Sequence, residues 1–93
     1  MNERLIFRIH AVRRMVERRI SEDAIRHVLE TGEVIENYPD DKPFPSSLQM
    51  GWYESRAIHV VVARDDVEQK AIIITAYEPD VAQWQPDFKR RKS

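Results

Sequence analysis

Two β-branched runs dominate the second half of the chain. Ala57 to Arg64 (AIHVVVAR) and Lys70 to Tyr77 (KAIIITAY) are separated only by the polar segment Asp65 to Gln69. Val, Ile and Thr pack well on a pleated surface. A connection this short joins antiparallel strands, because a parallel return needs a dozen residues or more. The chain is thereby committed to a sheet. Leu48 to Glu54 reads as a third strand, joined through Ser55-Arg56, and Glu33 to Tyr38 as a fourth. Between these two, Pro39 to Ser47 carries Pro39, Pro43 and Pro45 and reads as a loop. Symmetric closure of the Asp65 to Gln69 loop pairs Arg64 with Lys70 and His59 with Thr75. Alternation then sends Ile58, Val60, Val62, Ile72, Ile74 and Ala76 to a core face. His59, Val61, Ala63, Ala71, Ile73, Thr75 and Tyr77 go to the other.

The first half is helical. Leu5 to Ile9 is a short apolar segment and a candidate edge strand. From His10 to Arg19, Ala11, Val12, Met15 and Val16 recur at helical spacing and continue to Ile20, which predicts a buried stripe. His10, Arg14 and Arg18 stand on the other side, with Arg13 and Glu17 spaced to pair. Ser21 is placed to cap a second helix, with Glu22 and Asp23 in its first turn, Ala24, Ile25, Val28 and Leu29 as its buried stripe, and Gly32 as its terminator. The predicted architecture is α+β: two N-terminal helices on one face of a four-stranded antiparallel sheet, with Leu5 to Ile9 as an added edge. Ninety-three residues hold one domain, read as 1–88, followed by a basic tail, 89–93.

Composition excludes several chemistries. There are no cysteines, so disulfides, thiolate metal sites and cysteine nucleophiles are absent. The two glycines cannot build a phosphate-binding glycine loop. His10, His27 and His59 match no ligand spacing, so neither a metal site nor a cofactor is expected. No leader-like apolar stretch opens the sequence, and the longest apolar runs are strand-sized. A cytoplasmic protein without a membrane partner is the expectation.

The net charge of -1 hides a strong pattern. Residues 1–20 carry six arginines against two acids, and residues 81–93 four cations against one. Residues 21–41 carry seven acids against Arg26. The basic segments suit a phosphate-bearing partner such as RNA, and the acidic one a basic partner. Arginine supports the first reading, because its guanidinium grips phosphate through two bonds.

Candidate chemistry gathers at His59, Thr75 and Tyr77, which share a strand face, and at His10 with Arg14. Imidazole, hydroxyl and phenol can move protons without a metal. The place of His27 near a helix end is explained by the dipole. Trp52 and Trp84 can stack on bases, but packing accounts for both.

Several segments carry a family resemblance: His10-Ala11-x-x-Arg14-Met15-x-x-Arg18 with Ile20-Ser21, Gly32-Glu33-x-Ile35-x-x-Tyr38, His59-Val60-Val61, and Thr75-Ala76-Tyr77-Glu78-Pro79-Asp80 with Trp84. In this order they resemble a bacterial family of small domains of unknown function, itself similar to the RelE-like toxins of type II toxin–antitoxin systems. The resemblance implies a RelE-like fold, a cognate antitoxin, and metal-independent cleavage of mRNA, usually on the ribosome. Attack by a ribose 2′-OH on the adjacent phosphate needs an acid, a base and a cation for the phosphorane. By resemblance and residue type, His59 or His10 serves as acid or base and Tyr77 as a second proton carrier. Arg14 and Arg18 clamp phosphate beside Arg13, and Thr75 orients a neighbour. A non-catalytic nucleic-acid- or protein-binding module of the same fold is the alternative, and a homodimer is compatible with either. A small-molecule enzyme is the third reading, and the missing glycine loop and thiolates weigh against it.

Overall fold

A computed structural model of the protein describes residues 3–93. The chain runs β1 (Arg4–Phe7), α1 (Ile9–Arg18), α2 (Glu22–Thr31), β2 (Glu33–Tyr38), β3 (Ser46–Tyr53), β4 (Arg56–Asp65) and β5 (Lys70–Tyr77). The strands form one five-stranded sheet in the order β1-β5-β4-β3-β2. The fold is therefore α+β, and the sheet is mixed rather than antiparallel throughout. The neighbours β2 to β5 are antiparallel, whereas β1 lies parallel to β5. Short loops fix only consecutive strands. β1 reaches β5 from the far end of the chain, where loop length says nothing about direction.

The hairpin register differs from symmetric closure in two steps. Asp65 pairs with Lys70, not Arg64. The Asp65 side chain explains this: its Oδ1 accepts from the amides of Val67 and Glu68, both at 3.1 Å, and closes the turn one residue further out. A bulge at Ile74 then adds a second step, so Val62 faces Ile73 while Val61 faces Thr75. His59 lies opposite Tyr77, not Thr75. The bulge also reverses the faces of the first half of β5. Ala71 and Ile73 join Ile58, Val60, Val62 and Ala76 in the core beneath the helices. Ile72, paired with Ala63, points to the opposite face.

Ser21 caps α2 as expected, its hydroxyl accepting from the Ala24 amide at 3.1 Å. α2 packs Ala24, Ile25 and Val28 into the core, with Val28 against Gly51. Gly32 ends α2 with extended backbone, not the left-handed turn that usually recruits glycine. Close approach is its reason. A Cβ there would overlap the Met50 carbonyl oxygen and stand 2.6 Å from that of Val28. Both obstacles are backbone, so Gly32→Ala is expected to cost about 2 kcal/mol or more, measured by urea denaturation.

α1 departs from expectation. Ala11 and Ile20 enter the core and Met15 packs against it, but Val12 and Val16 are exposed. The helix rests on β5, near one end of the sheet, so only a narrow stripe is covered. Arg13 and Glu17 make no ion pair among the described residues.

The face opposite the helices is covered by residues after β5. Trp84 is buried, and it bridges to Arg91 as the segment doubles back. The amides of Gln85 and Lys92 donate to the carbonyls of Arg90 and Gln83, each at 2.8 Å. Lys89 pairs with Glu33, and Arg91 with Glu36 at 3.0 Å. The basic tail is therefore part of the packed structure, with Lys89 and Arg91 resting on acids of β2 and Arg90 on Asp87.

Candidate functional site

Residues on four neighbouring strands meet beneath this C-terminal segment. Cross-strand partners share a face, so Glu36 and Tyr38 of β2, Leu48 and Met50 of β3, His59 of β4 and Tyr77 of β5 lie together. His59 is fully buried. Its Nε2 lies 2.7 Å from the Phe88 carbonyl oxygen. A carbonyl only accepts, which assigns the proton to Nε2 and leaves the Nδ1 lone pair free to accept. Tyr77 Oη stands 3.4 Å from Nδ1, at the outer limit of a hydrogen bond. Trp84 meets the imidazole edge-on, centroids 4.5 Å apart, and the Arg91 guanidinium lies over the Trp84 ring at the same distance.

The electrostatics follow from burial. Desolvation pushes the His59 pKa below its ordinary value, against a smaller upward pull from the Phe88 hydrogen bond and the Glu36 charge. Burial likewise raises Tyr77, while the nearby Arg91 and Arg18 charges pull it down. Glu36 is lowered, first by its bond to Arg91 and then by the Tyr38 hydroxyl, which donates to it at 2.5 Å. Tyr38 is pushed up to about 12 by burial and then by Glu36. At neutral pH the cluster therefore holds a neutral imidazole, two protonated phenols, a carboxylate and a guanidinium.

A stability prediction follows from His59. With its folded pKa below the unfolded value of about 6.5, the unfolded chain binds the proton more readily. Stability is full above pH 6.5 and falls as pH drops from there towards the folded value. The slope from this one proton has a ceiling of ~1.4 kcal/mol per pH unit, and His59→Gln should flatten it in denaturant titrations below about pH 7.

The sheet separates the sequence-derived site residues into two groups. His59, Thr75 and Tyr77 share the face under the C-terminal segment. His10, Arg13, Arg14 and Arg18 lie on α1, on the other side, where they line a shallow depression of about 510 Å³ with Glu17. His10, Arg13 and Arg14 are exposed and do not converge on His59. Arg18 links the groups. Its Nη1 donates to the Ala76 carbonyl at 3.1 Å, past the point where β1 stops covering β5, and its charge reaches Tyr77. Tyr77 thus has His59 behind it and the fields of Arg18 and Arg91 beside it.

Glu36, Tyr38, Phe88 and Arg91 were not legible as site residues. The spacing of Glu36 and Tyr38 on one strand does place them on one face. Nothing in the basic run 89–92 singles out Arg91. Trp84 does pack, as expected, but against the candidate base. Among the described residues, no three His, Asp or Glu side chains converge as metal ligands.

Residues 7–78 match the profile of DUF4258, a domain of unknown function. The chain belongs to this family. The matched span holds α1, Glu36, Tyr38, His59 and Tyr77, but Trp84, Phe88 and Arg91 lie beyond it. No curated protein and no solved structure matches the chain. No helix among the described residues is long and apolar enough to cross a membrane.

Proposed function

We propose that this DUF4258 domain acts on RNA as a RelE-like endoribonuclease of the toxin–antitoxin type. The carrying observation is Tyr77, whose hydroxyl neighbours His59 Nδ1 and the charges of Arg18 and Arg91. In this reading the helix depression receives the RNA backbone and Tyr77 meets the scissile ribose. Tyr77 takes the 2′-OH proton as it passes its own to neutral His59. The 2′-oxygen bonds to phosphorus, the bond to the 5′-oxygen breaks, and the departing oxygen takes a proton from solvent. Arg18 and Arg91 offset the charge of the phosphorane. A cytoplasmic setting, a ribosome-bound transcript and a protein antitoxin belong to the same reading.

Incubation of purified protein with end-labelled RNA, free and ribosome-bound, tests it. Products ending in a 2′,3′-cyclic phosphate and a 5′-OH are expected, in the presence of chelator. Intact RNA under both conditions, with no growth arrest on expression, would refute the reading.

One observation favours a second reading, a binding module without turnover. The closed C-terminal segment leaves His59 no exposed surface. Arg13 and Arg14 have no acidic partner within 4 Å among the described residues and remain free for phosphate. Salt-dependent RNA binding is therefore expected in either case. Arg13→Ala with Arg14→Ala should lower the slope of log affinity against log salt by about 0.7 per lost phosphate contact. An unchanged slope in gel-shift titrations would remove α1 from the RNA path.

A further inference from the structure

The exposed face of α1 has an apolar half that the proposed chemistry does not use. Ile9 is 68% exposed, Val12 44% and Val16 74%. Their spacing of three and four residues puts them on one side of the helix. Beside them Val12, Met15, Val16 and Ile20 line a shallow, mainly apolar depression of about 400 Å³, with Arg19 at its edge. Isolated apolar residues on a surface need no explanation, but a row at helical spacing beside a groove is the form that receives an amphipathic helix.

Charge identifies the occupant. Arg8, Arg13 and Arg19 border the row, and none has an acidic partner within 4 Å among the described residues. A second copy docked symmetrically on this face would bring its own Arg8, Arg13 and Arg19 against them. The acids of β2 on another copy are poor substitutes, because Glu33 and Glu36 already hold Lys89 and Arg91. We infer that this face of α1 docks a different chain: an amphipathic helix with an apolar stripe bordered by Asp or Glu. The apolar row provides affinity, and the arginine border selects acidic partners and speeds encounter. The surface is separate from Tyr77 and His59, so the inference stands whether or not the chain cleaves RNA.

Calorimetric titration with synthetic helical peptides tests it. The probes are an 18-residue Leu/Glu amphipathic helix, its Leu/Lys counterpart, and a scrambled Leu/Glu sequence of the same composition. Binding of the ordered Leu/Glu helix alone is expected, weakening with salt. Val12→Ser with Val16→Ser should reduce it about tenfold or more, from lost apolar burial. These side chains are exposed, so the variant's melting temperature should stay near that of the parent, and Tyr77→Phe should bind the peptide normally. Equal binding of all three peptides, or of none, overturns the inference. So does a dimer in sedimentation equilibrium that the double substitution dissolves, since the face would then be covered by a second copy.

Discussion

Trp84→Ala is expected to be the most destabilising single substitution outside the helix-side core, by about 3–5 kcal/mol. The chain's whole stability is of order 5–14 kcal/mol at its length. Only 3% of Trp84 is exposed, and its ring is stacked under the Arg91 guanidinium. Its loss opens a cavity over His59, removes the Arg91 contact and takes the buried apolar anchor from the turn between Gln83 and Lys92. A fall in melting temperature of about 15–30 °C should be seen by circular dichroism. A shift below about 5 °C would show that residues after β5 are a loosely attached tail. Trp84→Phe, which retains much of the apolar volume, should recover more than half of the loss.

Tyr77→Phe is expected to lower RNA cleavage about 100-fold or more while leaving RNA affinity and melting temperature close to the parent's. The substitution removes one oxygen and with it, in the proposed reaction, the proton path from the ribose to His59 Nδ1, a contribution typical of general acid–base catalysis. The ring stays packed against the imidazole, whose centroid lies 5.3 Å away. This separates chemistry from folding better than any change at His59, which is fully buried. The lowered His59 pKa also sets a pH profile: cleavage should persist into mildly acidic solution and fail only as the buried imidazole takes up a proton. Full activity in Tyr77→Phe would move the chemistry elsewhere on the domain.

Element identity was legible in the sequence because it follows from local periodicity and caps. β2 and β5 occupy the predicted residues, and Ser21 caps α2 as read. What was not legible depends on single side chains acting at a distance or on the tertiary seat of an element. The Asp65 turn and the Ile74 bulge each moved the hairpin register by one residue, and together they put Tyr77 rather than Thr75 opposite His59. Val12 and Val16 fit a buried stripe by period, yet both stay exposed where α1 sits on the sheet. Grouping His59 with the arginines of α1 required knowing which sheet face each occupies, and Arg18 reaches the β5 backbone at Ala76. The tail was read from its charge, whereas Trp84 and Phe88 determine where it goes.

The parallel pairing of β1 with β5 has a consequence for synthesis. The strand that begins the described structure finds its neighbour among residues 70–73, and α1 lies on that same neighbour. A ribosome has delivered three quarters of the chain before either has a seat. Until then the arginine-rich helix and its apolar row travel as an unsupported segment, open to any acidic chain nearby. An acidic partner present during synthesis would meet that segment before β5 exists, so capture could precede folding.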